Sequence, residues 1–242
     1  MKVTVKAYGD VFKVIFHKFN NEGGIGLGAS MYMDSNQNTP RQQGGEKEQS
    51  NLYRAKSRIR EYALCNDWQY FATLTLNKDK QDRYDVDGYV RDLGVWIGNY
   101  NKKYATKLKY LLIPEQHKDC AWHMHGLLNG VAADSVCNNA HGYLDMPYYA
   151  QRFGYISLSC VRDKTRTAAY ITKYVAKALG HTDIALCKHS YYASRGLNQS
   201  YDVGEFQASE IPPYVWQNDY CGVCWCNNAD ELKEVLKGVE SI

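Results

Sequence analysis

No run of the roughly 18 apolar residues that a membrane-crossing helix needs occurs in the 242-residue chain. The stretch from Met1 to Phe16 mixes polar with apolar residues instead of forming an unbroken apolar segment, which argues against a secretory signal peptide. Eight cysteines occur without the spacing of a disulfide framework, so reduced thiols and a cytoplasmic location are expected, with no membrane involved. A large charge of one sign is missing too, and the formal net charge of +3 is too small to argue for a nucleic-acid partner by itself. No internal repeat of about 20 to 50 residues is visible. The glycines around Gly23 to Gly28 lack the preceding strand and following helix of a dinucleotide fingerprint.

What is present fits one α+β domain of ordinary size with additions at either end. Val3 and Val5, then Phe12, Val14 and Phe16, alternate around Gly9-Asp10 and predict an N-terminal β-hairpin over 1–19. Residues 20–49 carry too little apolar surface to order and are expected to form a flexible loop. Ser50 suits the N-cap of a helix to about Leu64, with Leu52, Ala55, Ile59 and Tyr62 on one face and basic residues on the other. A strand (70–76), a helix (about 86–104) and two strands (108–114 and 121–128) follow. A strand over 155–160 and a helix over 165–179 come next. The order β-α-β-β-α with an added β-α predicts a central antiparallel sheet with helices packed on one face, over 50–210. Pro212-Pro213 leads into a tail over 211–242, where Asp230 to Val239 reads as a closing helix.

Local charge says more than the total. Arg54, Lys56, Arg58 and Arg60 recur on one helical stretch, and Arg162, Lys164, Arg166, Lys173 and Lys177 on another. Such runs form either solvated faces or phosphate-binding surfaces. Trp122-His123-Met124-His125-Gly126 places two histidines at i and i+2 of an apolar strand, so they share a face. They are either half-buried, hydrogen-bonded histidines or a pair of ligands for a divalent ion, with Glu115 of the preceding strand positioned to be the third. Tyr170 and Tyr174 stand four residues apart on a helix, each followed three residues later by a lysine, Lys173 or Lys177. They are either a core stripe or phenols whose weak nucleophilicity the lysines could raise. Cys221-Gly222-Val223-Cys224-Trp225-Cys226 could hold zinc only with further ligands such as Cys187 and His189; free thiols are the alternative.

In this order, the strand Phe71-Ala72-Thr73-Leu74-Thr75-Leu76-Asn77, the His123-Met124-His125 triplet and the Tyr170 to Lys177 helix resemble the three motifs of the HUH endonucleases. The resemblance is specifically to the two-tyrosine rolling-circle replication initiators of small single-stranded DNA phages and plasmids, and it covers about residues 53–198. It implies an RRM or ferredoxin-like nuclease core, Mg²⁺ or Mn²⁺ bound by His123, His125 and Glu115, and nucleophilic roles for Tyr170 and Tyr174 assisted by Lys173 and Lys177. It implies contacts to a single-stranded origin, of hairpin type, through Thr73, Thr75 and Asn77 of the first motif. Arg54, Arg58, Lys164, Arg166 and Arg195 are the expected phosphate contacts.

No Gly-x-x-x-x-Gly-Lys-Ser/Thr element is present. Strand separation is therefore expected to come from a host helicase or from supercoiling, and extension from a DNA polymerase. A transposase or relaxase would share the chemistry, and a non-catalytic single-stranded DNA-binding module would share only the motifs.

Overall fold

A computed structural model describes residues 1–19, 45–179 and 189–241. In chain order the elements are β1 (Lys2–Tyr8), β2 (Val11–His17), α1 (Gly45–Cys65), β3 (Tyr70–Leu76), α2 (Val86–Lys103), β4 (Lys109–Gln116) and β5 (Trp122–Asn129). Then follow β6 (Cys137–Asn138), β7 (Leu144–Asp145), α3 (Pro147–Arg152), β8 (Gly154–Cys160), α4 (Lys164–Leu179) and β9 (Tyr192–Ala193). The remaining elements are β10 (Tyr201–Gln207), β11 (Trp216–Gln217), β12 (Cys221–Cys226), α5 (Ala229–Val235) and β13 (Glu240–Ser241). The architecture is α+β with antiparallel sheets, and it divides into two compact units.

The larger unit holds the seven-stranded sheet β6-β7-β8-β3-β5-β4-β9. The period-two pattern of its strands separates two kinds of side chain. Ala72, Leu74 and Leu76 of β3, Leu112 of β4, Met124 and Leu128 of β5, and Ile156 and Leu158 of β8 turn to one face. There they meet Tyr89, Leu93, Trp96 and Tyr100 of α2 and Tyr149 of α3. The spacing of those α2 residues, with steps of four, three and four, is a helical stripe. Asp85 starts α2 by accepting the Gly88 backbone N–H at 2.8 Å, and Lys102 and Lys103 lie in its last turn, where the helix dipole favours cations.

Helix α4 lies on the opposite face, because its Tyr170 and Tyr174 rings contact Phe71 of β3, whose neighbours Ala72 and Leu74 point the other way. This corrects the expectation of helices on one face only. Amphipathic spacing shows that a helix buries a stripe; it does not say on which side of the sheet. Asp163 caps α4 by accepting the Arg166 N–H at 2.9 Å, so the helix begins at Lys164.

The smaller unit joins both chain ends. Its six strands run β11-β12-β2-β1-β10-β13, with Val3, Val5, Val14, Phe16 and Cys226 in the core. Three boundaries are thereby corrected. The N-terminal hairpin and the C-terminal stretch are parts of one sheet. The nuclease-like segment gives way at Leu197 and not near 210, because β10 pairs with β1. Helix α1 begins at Gly45 and not at Ser50, so the end of the expected loop is helical; residues 20–44 lie outside those described.

Candidate active site

The β4–β5 hairpin sets the first half of the site. Its turn closes through the His117 N–H donating to Ala121 O at 2.9 Å, with Cys120 in the left-handed region at φ 64°. The resulting register pairs Glu115 with His123 and Ile113 with His125. On the other side of β5, Thr75 pairs with His123 and Thr73 with His125. Gly126 keeps the strands this close, since a Cβ there would meet the Leu112 side chain and stand 2.5 Å from Leu111 O.

Both imidazoles are held through Nδ1. Thr73 Oγ1 lies 3.2 Å from His125 Nδ1, and Thr75 Oγ1 lies 3.1 Å from His123 Nδ1. This leaves the Nε2 side of each ring for a ligand. At His125, Nε2 is 2.6 Å from Glu115 Oε2, and that carboxylate is only 4% exposed. Burial lowers the affinity of His123 for a proton, and His117 and His125 lower it further, against opposition from Asp119 and Glu115. His117 stacks on His123 with ring centres 3.8 Å apart.

Among the described residues no three His, Cys, Asp or Glu side chains stand gathered around a common point. In type, the donors suit a divalent ion: two oriented imidazoles, kept largely neutral by burial, beside a nearly buried carboxylate. The close Glu115–His125 contact joins two of those donors to each other, so an ion would take the place of that contact.

Helix α4 brings the phenols to the same face. The Tyr174 ring stacks on His125 at 4.0 Å with an interplanar angle of 20°. Its hydroxyl donates to the Tyr170 oxygen at 2.6 Å. Phe71 fills the space among them, with centroid distances of 5.3 Å to Tyr170, 6.1 Å to Tyr174 and 6.2 Å to His125. Tyr170 is 47% exposed, whereas Tyr174 is half-buried. Burial, first, then the hydrogen bond and charge of Tyr170 and the Glu115 carboxylate, push the Tyr174 phenol well up. Tyr174 is thus held as a protonated donor aimed at the Tyr170 oxygen.

Lys173 is exposed and lines a cleft with Tyr170 and Arg166. Lys177 belongs to α4, but its side chain lies outside the described residues. The other expected contacts are not drawn into the cleft. Arg58 pairs with Glu61 at 2.6 Å and Lys164 with Asp67 at 2.9 Å. Asn77 caps a turn by accepting the Asp79 N–H at 2.9 Å. Arg54 is exposed on α1 and Arg195 is exposed in the turn after β9. Neither lines the cleft.

Sequence reasoning missed Phe71 and His117 as members of the cluster. Phe71 stood in the same alternating row as Thr73 and Thr75, which is the signal that could have found it. The cysteines of the smaller unit form a strand, β12, in which Cys221 and Cys226 are buried and burial pushes the Cys226 thiol up to about 12. Cys187 lies outside the described residues.

Residues 69–179, from the start of β3 to the end of α4, match the model of a family of replication-associated proteins, that of ORF2 and the phage gene II protein. The matched stretch therefore carries all the imidazole, carboxylate and phenol groups of the site and has the character of a phage replication-initiation protein. None of the curated proteins and none of the solved structures is significantly similar to the chain.

Proposed function

We propose that the protein is a replication initiator that nicks single-stranded origin DNA with a tyrosine, leaving a 5′-phosphotyrosine on the protein and a free 3′-hydroxyl for a DNA polymerase. The observation that carries this reading is the stack of Tyr174 on His125 at 4.0 Å, with the Tyr170 and Tyr174 oxygens 2.6 Å apart. It sets the phenols directly beside the threonine-oriented imidazoles. The likeness of residues 69–179 to a replication-associated family favours initiation over transposition or plasmid mobilisation.

Bound by His123, His125 and Glu115, Mg²⁺ or Mn²⁺ would supply Lewis-acid polarisation of the scissile phosphate. Tyr170, the more exposed phenol, attacks phosphorus. A bond forms from phosphorus to the Tyr170 oxygen and the bond to O3′ breaks; the phenol loses its proton and the departing O3′ gains one. Tyr174 donates a hydrogen bond to the Tyr170 oxygen as negative charge gathers there. Lys173 adds positive charge along the same cleft. Because the phosphodiester energy is kept in the adduct, a 3′-hydroxyl can reverse the step and rejoin the strand with no nucleotide cofactor. Tyr174 is positioned for the second cut of a two-tyrosine relay. Duplex opening is left to a host helicase or to supercoiling.

The test is covalent capture of labelled single-stranded origin oligonucleotides on a denaturing gel, in Mg²⁺ or Mn²⁺. Wild-type protein gives a shifted band, Tyr170→Phe gives none, and His123→Ala or His125→Ala gives none while remaining folded by circular dichroism. Undiminished capture in EDTA, or capture by the Tyr170→Phe/Tyr174→Phe double variant, would overturn the proposal.

A further inference from the structure

Beside the phenols a cleft of about 620 Å³ opens between α4 and the β3–β8 part of the sheet. Pockets of roughly 300 to 1,000 Å³ take small organic ligands. Its lining combines Ser157 and Ser159 of β8, Thr167 of α4, and the cations Arg166 and Lys173 around the Phe71 ring. Thr73 and Tyr170 stand at one side, so the cleft is continuous with the candidate active site. No carboxylate lines it.

Strand register explains the arrangement. Ser157 pairs with Thr73, which pairs with His125; Ser159 pairs with Phe71, which pairs with Leu127. Two rows therefore cross the same face of the sheet, and hydroxyls on β8 extend the line that begins at the imidazoles. Ser157 is half-buried and Ser159 exposed, and neither side chain belongs to the apolar core on the opposite face. The electrostatics suit an anion and the hydroxyls suit a ligand that both donates and accepts.

We infer that this cleft seats one unpaired nucleotide adjoining the scissile phosphate, with Ser157 and Ser159 reading its base edge and Arg166 and Lys173 holding its phosphate. Only the place of that nucleotide next to the cut rests on the nicking reading; the cleft's chemistry is that of a single-stranded nucleic-acid site in either case. Serine hydroxyls can donate to or accept from base edges, and an aromatic ring in the floor offers a face to any base. Arg166 is held at Nε by Asp163 at 3.2 Å, which fixes the direction in which its guanidinium points. The inference makes Ser157 and Ser159 determinants of sequence preference at one position beside the cut.

The experiment uses fluorescein-labelled single-stranded oligonucleotides randomised at each position around a captured nick site. Equilibrium binding is read by anisotropy in EDTA, and covalent capture is read in Mn²⁺. The variants are Ser157→Ala/Ser159→Ala, which removes only the hydroxyls, and Ser159→Leu, which fills the cleft. If the inference holds, the double alanine variant flattens base preference at a single position by about tenfold or more, leaves other positions unchanged, and Ser159→Leu weakens binding of every sequence. Normal capture with an unaltered preference profile in both variants overturns the nucleotide site and leaves nicking intact. Absent capture by the wild type, with a binding preference that the double variant abolishes, sinks nicking and keeps the site. Absent capture together with no preference in binding overturns both.

Discussion

Replacing Tyr174 by phenylalanine removes one oxygen and keeps the ring that stacks on His125 at 4.0 Å. What disappears is the hydrogen bond donated at 2.6 Å to the Tyr170 oxygen. A hydrogen bond to a charged group contributes about 1.5–3 kcal/mol, and the phenolate-like transition state needs it more than the neutral ground state does. At about 1.4 kcal/mol per factor of ten, the full loss is roughly ten- to a hundredfold in rate. Tyr174 is only half-buried, so water can replace part of the donor and the lower end applies. The expectation is a single-turnover cleavage rate reduced about tenfold with DNA affinity unchanged, since the contact is made in the transition state. The assay is a rapid-quench time course with saturating protein and a labelled single-stranded oligonucleotide, paired with anisotropy titration. A rate within about twofold of wild type would refute the assignment of Tyr174 as donor to the nucleophile. A Tyr170→Phe protein that still cuts faster than Tyr174→Phe would reverse the order of the two phenols.

Thr73→Val and Thr75→Val keep side-chain shape but remove the hydroxyls that orient His125 and His123; each is expected to weaken Mn²⁺ binding about 10- to 100-fold by calorimetry, and an unchanged affinity would refute the orienting role. In the core, the Tyr89 and Tyr149 hydroxyls satisfy each other at 2.7 Å. Tyr149→Phe strands the Tyr89 hydroxyl and should cost about 1–3 kcal/mol in urea denaturation, while Tyr89→Phe/Tyr149→Phe should cost less than the two single changes together. In the smaller unit, burial first and then Lys2 hold the His17 pKa below 6.5, against the pull of Glu205. The folded state therefore resists protonation, so stability present above pH 6.5 is lost as pH falls from 6.5 through the folded value. His17→Gln should flatten that slope between about pH 7.5 and 5, and a slope equal to that of wild type would refute the linkage.

Much of the larger unit was legible because its signals are local. Strand β3 runs over Tyr70–Leu76 as its alternation predicts, and α2 and α4 fall within a residue or so of the expected bounds. The β4–β5 pairing followed from two apolar runs separated by a short polar turn, and it carried the expectation that Glu115 would sit beside His123 or His125; the backbone pairs it with the first and the carboxylate meets the second. The sheet of the smaller unit was hidden, because β1 pairs with β10, about 200 residues away, and no local pattern names such a partner. Strand β12 was obscured by its own cysteines, which drew attention to metal chemistry and away from the alternation that buries Cys226 and Cys224 on the side opposite Trp225. The arginine and lysine contacts failed to converge for a similar reason: spacing reveals a charged face, but not that Glu61 and Asp67 already face Arg58 and Lys164.

Register is what separates chemistry from core in this sheet. On β3, β5 and β8 the residues in one phase are Ala72, Leu74, Met124, Ile156 and Leu158, all in the apolar cluster. Those in the other phase are Thr73, Thr75, His123, His125, Ser157 and Ser159. A slip of one residue between β4 and β5 would turn both imidazoles into the aromatic core of α2 and α3, at the cost of burying polar groups without partners. Gly126 stands against that slip and against any loosening of the pair, because its backbone is pressed where Leu111 O and Leu112 leave no room for a Cβ. The glycine that follows the two histidines thus acts through the backbone, holding β4 and β5 together at the pair where the Thr73 and Glu115 contacts meet His125. A polar face ordered this tightly needs only one covering helix to become a cleft, and α4 supplies it with its phenols turned inward over Phe71 and His125.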